Sequence, residues 1–234
     1  MARLTRQQLK KDEFVSRFET IQEFALQNQR QIIIVVLSAV LTGSVILGGF
    51  LYVRSRQSRA SGEFADALAN FHAQVSPTPP PNSTAPHFKT NPEKYEQALK
   101  QFSEVAERYS WYSQGKLARF YAALCKLELE RLPQAENDLN TIAAGRDEEL
   151  AALAKLALAS HYKQTGKNDE AEKLYRDLEE HPTGTVPKAT AQLELADLYQ
   201  RTKPAQAAEI YKKLQTEYPG MAAGDLASKM LQGQ

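Results

Sequence analysis

Residues 158–182 read LASHYKQTGKNDEAEKLYRDLEEHP. Leu158, Ala159 and Tyr162 share one face at 3.6 residues per turn, and Ala171, Tyr175 and Leu178 share the face of a second helix. Between them, Gly166 suits the left-handed backbone at a helix end, and Pro182 stops the second helix. The pattern predicts a helical hairpin in which Ala159 meets Ala171. Two methyl-sized side chains let the backbones approach closely, while Tyr162 and Tyr175 fill the space beside them.

The second-helix pattern, alanine, then a large residue four on, then an apolar residue three further, recurs along the chain. It is carried by Ala98, Phe102 and Val105; by Ala135, Leu139 and Ile142; by Ala171, Tyr175 and Leu178; and by Ala207, Tyr211 and Leu214. The offsets are 37, 36 and 36 residues. One such triple is common on any amphipathic helix, but four at a nearly fixed period mark a repeat array.

The units are unequal. In the fourth, Leu195, Ala196 and Tyr199 precede the Ala207 triple, with Lys203-Pro204 in a turn one residue shorter, where a glycine is usual. In the second, Ala118–Ala144, the register of the first helix is left open. The first is split by SPTPPPNSTAPHFKT at 76–90, which excludes a helix interior or a central strand. The helix-like stretch before it is Ala60–Gln74, so the unit's first helix is expected at 57–74. Asn91 followed by Pro92 predicts the next helix start. Met221–Leu231 is expected as a terminal capping helix.

Upstream, Ile32–Val53 reads IIIVVLSAVLTGSVILGGFLYV and contains no charge. It is long enough to cross a hydrocarbon core of about 30 Å at about 1.5 Å per residue. A cleaved signal is the alternative, but its apolar region is usually shorter and its leading segment rarely as long as residues 1–31. A buried core helix apolar on every face does not suit so small a domain. Arg3, Arg6, Lys10, Lys11, Arg17 and Arg30 precede the run, and Arg54, Arg56 and Arg59 follow it. Counted over the whole tail, the positive-inside bias places the N-terminus in the cytoplasm; counted close to the run, the two sides nearly tie. Phe14, Phe18, Ile21 and Ala25 at helical spacing make residues 1–31 an amphipathic tail, lying on headgroups or docking a cytoplasmic partner.

Net charge is +1, which gives no electrostatic footprint for nucleic acid. Cys125 is the single cysteine, so no intrachain disulfide forms, and its apolar helical surroundings read as core. His72, His87, His161 and His181 lack metal-ligand spacing. No phosphate loop, dinucleotide fingerprint or catalytic constellation occurs, so no enzyme activity, cofactor or metal is expected.

These residues resemble the tetratricopeptide repeat, with Leu158–Pro182 the best match. The expected fold is all-α: a single N-terminal transmembrane helix (32–53), then an α-solenoid of about four helix pairs over 54–234. The layout as a whole resembles the ancillary subunit of the bacterial Sec translocon and its tetratricopeptide-like family. That resemblance implies an inner-membrane protein with a periplasmic repeat domain, partnering translocon subunits, secretory chaperones or exported polypeptides. In the repeat family the first helix of each pair lines a peptide groove. Carried onto this chain, that gives Leu156, Ser160, Lys163 and Gln164, then Leu193, Asp197, Gln200 and Arg201, with an ordinary solvent-facing helix as the alternative. The expected function is a membrane-tethered interaction scaffold or co-chaperone. The competing reading is a structural protein that oligomerises to organise the envelope or division machinery. For it, Ala39-x₃-Gly43 and Ser44-x₃-Gly48 offer close helix contact within the membrane.

Overall fold

The computed structural model of the protein describes residues 28–77 and 86–232. Among the described residues nine helices run in chain order: α1 (Gln29–Phe71), α2 (Asn91–Arg108), α3 (Ser113–Glu128), α4 (Leu132–Ala143), α5 (Glu148–Gln164), α6 (Asn168–Glu180), α7 (Lys188–Thr202), α8 (Pro204–Glu217) and α9 (Ala222–Gln232). Two short strands, β1 (Gln74–Val75) and β2 (His87–Phe88), pair in parallel. The chain divides into two units, Met1–Ser58 and Arg59–Gln234. The amphipathic tail expected at 1–31 lies, up to residue 27, outside the described residues.

Within the first unit, the described part of α1 is apolar all round. Ile33, Leu37, Leu41, Val45, Leu47 and Phe50 are all exposed. The helix is long and apolar enough to cross a membrane. Its hydroxyls bond back to its own carbonyls: Ser38 to Val35 O, Thr42 to Ser38 O and Ser44 to Val40 O, each at 2.8 Å. The arrangement satisfies these hydroxyls within the helix itself, as a helix in hydrocarbon would require.

Separate helices at 32–53 and 57–74 are replaced by one unbroken α1 ending at Phe71. Nothing between Arg54 and Ala60 breaks a helix, and the single Gly62 costs only about 1 kcal/mol. Beyond Phe71 the chain turns into β1 instead of continuing to residue 74. Inside the proline-rich insertion, His87 and Phe88 are strand, and Ser76 Oγ lies 3.0 Å from His87 Nε2. The strands are two residues long, so prolines 77 and 86 flank the ladder without interrupting it. The start of α2 shifts by one residue. Thr90 is the cap, its hydroxyl accepting from Glu93 N, while Pro92 occupies the first turn.

Within the second unit each helix packs on its neighbours in sequence, as stacked hairpins do. The end of α1 lies antiparallel to α2. Asn70 bonds Gln101 at one end, and Arg108 donates to Glu63 at the other (2.7 Å). Phe64, Phe71, Phe102 and Tyr121 interlock between α1, α2 and α3, with Phe102 stacked on Tyr121 at 5.1 Å between centroids. Ala98, Phe102, Val105, Ala135, Leu139, Ala171, Tyr175, Leu178, Ala207, Tyr211 and Leu214 are all buried, and Ile142 is half-buried. Full burial of one such large side chain contributes about 1.5–3 kcal/mol. The four-unit period is therefore the period of the core.

The turns follow the same logic. Gly166 adopts φ +78°, and Lys167 N reaches back to Tyr162 O at 2.9 Å, which closes the end of α5. In the second unit Arg131 N bonds Lys126 O at 2.8 Å. This fixes the register left open by the sequence: Ala122, Ala123 and Lys126 stand where Leu158, Ala159 and Tyr162 stand in the third unit. Lys126 takes the tyrosine's place and reaches Asp138 at 2.5 Å. The last helix, α9, begins one residue later than expected and covers α8.

Candidate functional site

The first helices of the third and fourth units, α5 and α7, end side by side. Both close on short turns: Gly166 after α5, and the single residue Lys203 between α7 and α8. The two helix ends and the Gly166–Asn168 turn enclose a cleft of about 460 Å³. Lys163, Gln164, Asp197, Gln200 and Arg201 line it, together with Asn168, Leu198 and Thr202. Five of the eight groove candidates therefore converge on one cleft. Ser160 stands one turn back on α5, within 3.5 Å of Gln164 Nε2. Leu156 and Leu193 lie outside the cleft, half-buried against the core of the last two units.

The electrostatics of the cleft are uneven. Lys163 crosses from α5 to α7 and donates to Glu194 (2.7 Å) and Asp197 (2.8 Å). Burial works against its charged form, but the hydrogen bonds to Asp197 and Glu194 outweigh it, so the Lys163 pKa is raised. Tyr175 extends this network with its hydroxyl 3.4 Å from Glu194, and its pKa is raised chiefly by burial. Lys163 is thus a strut between units. Arg201 differs: it is exposed on the last turn of α7, and it makes no ion pair among the described residues. Its charge complements the helix C-terminus and stays available to a ligand.

Glu194 was not legible as a member of this site. The repeat pattern specifies small and large packing positions, not the charges between them. The only available signal was complementarity, two carboxylates on α7 within a turn of each other facing a lysine on α5.

On α6, Glu172 gathers Lys203 (2.6 Å) and Arg176 (3.1 Å). Burial pushes the Glu172 carboxyl up, but hydrogen bonds from Lys203, Tyr199 and Arg176 bring it down to about 2. His161, next to Tyr162, is buried and lies 3.2 Å from Glu136, so it packs between α4 and α5. A second cleft, of about 430 Å³, lies on α2, α3 and α4 and includes Arg119, Lys126 and Asp138. No groove candidate reaches it.

The comparisons with known proteins agree with the repeat fold. The family model described as tetratricopeptide repeat-like domain matches residues 23–184, and a second, tetratricopeptide repeat, matches 156–222. No curated protein and no solved structure matches the chain. The first match spans more than half of the sequence and includes both the apolar helix and three of the four units, so the chain belongs to the tetratricopeptide repeat-like domain family.

Proposed function

We propose that this protein is a membrane-anchored interaction scaffold whose α5–α7 cleft takes a polypeptide segment of its partner. Tetratricopeptide repeats serve protein–protein interaction, and this fold is generally non-catalytic. The observation that carries the reading is the convergence of Lys163, Gln164, Asp197, Gln200 and Arg201 on one cleft. Gln164 and Gln200 supply donors and acceptors for an extended backbone. Arg201 supplies a planar cation suited to an acidic side chain or a C-terminal carboxylate. The family match begins at residue 23, upstream of the apolar helix, which supports treating anchor and repeats as one design. In this reading Ile32–Val53 spans the inner membrane, the N-terminus is cytoplasmic and the repeats are periplasmic. The partners are translocon subunits, secretory chaperones or exported polypeptides.

A photocrosslinker placed at Gln200 in the full chain, in native membranes, tests the proposal. Crosslinks to translocon subunits or to polypeptides in transit are expected, and Arg201→Glu should weaken them several-fold with circular dichroism unchanged. Lys163→Glu is a poor companion variant, because it would leave three carboxylates facing one another. Crosslinks confined to second copies of the chain would favour the envelope-assembly reading and sink this one.

A further inference from the structure

Trp111 is the single tryptophan of the chain, and its side chain is 94% exposed. A large amphipathic ring so fully bare is unusual on a folded domain, where tryptophan is mostly buried. The turn that carries it is tightly built. Tyr112 N bonds Tyr109 O at 2.9 Å, and a Cβ on Gly115 would lie only 2.0 Å from that same carbonyl oxygen. The last unit repeats the hydrogen bond and the close glycine of this turn, with Met221 N on Tyr218 O at 3.2 Å and Gly224 against that carbonyl, although its backbone turns left-handed at Gly220 (φ +71°). There the position of Trp111 is held by Gly220. The hydrogen bond and the glycine approach that close the turn therefore form without an indole.

The turn sits at one particular end of the repeat unit. Because α2 runs antiparallel to the end of α1, residues beyond Arg108 continue toward lower α1 numbers. Tyr109 donates to Glu63 at 2.7 Å, and Gln114 Nε2 donates to Ser61 Oγ at 2.9 Å. Trp111 lies at the apex between these two contacts. Ser61 follows Val53, the last residue of the apolar run, by eight residues. Eight residues rise about 12 Å as helix and reach about 28 Å fully extended. The connecting stretch thus limits how far this end of the repeats can lie from whatever surface holds the run. Arg54, Arg56 and Arg59 lie in the connecting stretch and suit anionic headgroups.

We propose that Trp111 inserts into the headgroup zone of the membrane that holds Ile32–Val53, as a second, side-chain anchor that fixes the tilt of the repeat domain. Indole favours that zone, with its ring in the apolar boundary and its N–H in water. The inference rests on the reading of Ile32–Val53 as a span.

Since Trp111 is the only tryptophan, its emission reports on this site alone. The full chain is reconstituted in phosphatidylethanolamine–phosphatidylglycerol vesicles doped with lipid brominated either near the headgroup or near the chain end. A shift to shorter wavelength than in detergent-free urea, and stronger quenching by the shallow bromines, is expected. A Leu47→Trp change in a Trp111→Phe background reads the span separately and should be quenched best by the deep bromines. Deep quenching at position 47 with water-like, unquenched emission from Trp111 would overturn the proposal and leave the span standing. Failure of both reporters to quench would overturn the span and the proposal together. A blue shift at Trp111 without bromine quenching would place it against a second copy and overturn the proposal.

Discussion

Glu130 stands 36 residues before Gly166 and holds the same left-handed backbone, with φ +57° against +78°. Both residues sit between the first and second helix of a unit, and both are followed by the hydrogen bond that closes the first helix. Glycine enters that region freely, whereas a side chain there is strained by about 1 kcal/mol. Glu130→Gly should raise the stability of the protein by about 0.5–1 kcal/mol, and Gly166→Ala should lower it by about 1 kcal/mol. Thermal unfolding of the two variants checks both signs. A loss on Glu130→Gly would mean that the glutamate side chain contributes more than its backbone costs.

The crossing of α5 and α6 is set by two alanines. Ala159 and Ala171 are both completely buried in one core cluster. Ala171→Leu adds three carbons where the backbones approach, with an expected cost of about 1–3 kcal/mol. Because stacked units share interfaces, the loss should appear in the unfolding of the whole repeat unit. An unchanged midpoint would show that this crossing can open without strain.

Glu149 pins the loop between α6 and α7. Its carboxylate accepts from Thr185 N (2.7 Å) and Gly184 N (3.0 Å), and from the Thr185 hydroxyl. The Thr185 hydroxyl and amide, then the Gly184 amide, hold its pKa down at about 2, against an ordinary 4.5. A carboxyl whose folded pKa is depressed contributes fully above its unfolded value, and the contribution disappears as pH falls through the folded value. The Gly184 and Thr185 amide resonances should therefore hold their positions through pH 4.5 and move only as pH nears 2. In Glu149→Gln that titration should be absent. Movement of the wild-type resonances centred at 4.5 would show that the carboxylate does not hold the loop in solution.

Cys125 lies on α3 inside the first core cluster, fully buried. Burial, then the charge of Glu128, pushes its thiol up to about 12. A water-soluble thiol reagent at pH 8 should leave the folded protein unmodified and label it completely in denaturant. Labelling of the native protein at the rate of a free thiol would show that α1 and α2 open away from α3 readily.

The strand pair sets where the insertion can be shortened. Removing all of 76–90 would delete β2 and with it the pairing of Gln74 with His87 and of Val75 with Phe88. Replacing only residues 78–85 with a short glycine–serine bridge keeps both strands and the Thr90 cap. Helical content and melting should then be unchanged, whereas deletion of 76–90 should lower the melting temperature.

Much of this architecture was determined by the sequence alone. The alanine and large-residue triples report burial directly, because only small residues fit where helices cross and only large ones fill the space beside them. Phe102, Leu139, Tyr175 and Tyr211 are all fully buried at the predicted spacing. Gly166 and Pro182 marked a turn and a stop because their backbone limits are local. What tertiary structure decided was whatever depends on a partner distant in the chain. Lys126 stands at a tyrosine position and is satisfied by Asp138 on the next helix. The end of the apolar helix joins the repeats because Ala60, Phe64, Ala67, Leu68 and Phe71 pack against α2 and α3. Lys163 carries the clearest case. The repeat resemblance placed it among the groove candidates, but Glu194 and Asp197, more than 30 residues away, pair with it. Periodicity specifies which face a side chain takes. It does not specify which opposite charge from the next unit will meet it there, and that left Arg201 as the cation of the cleft.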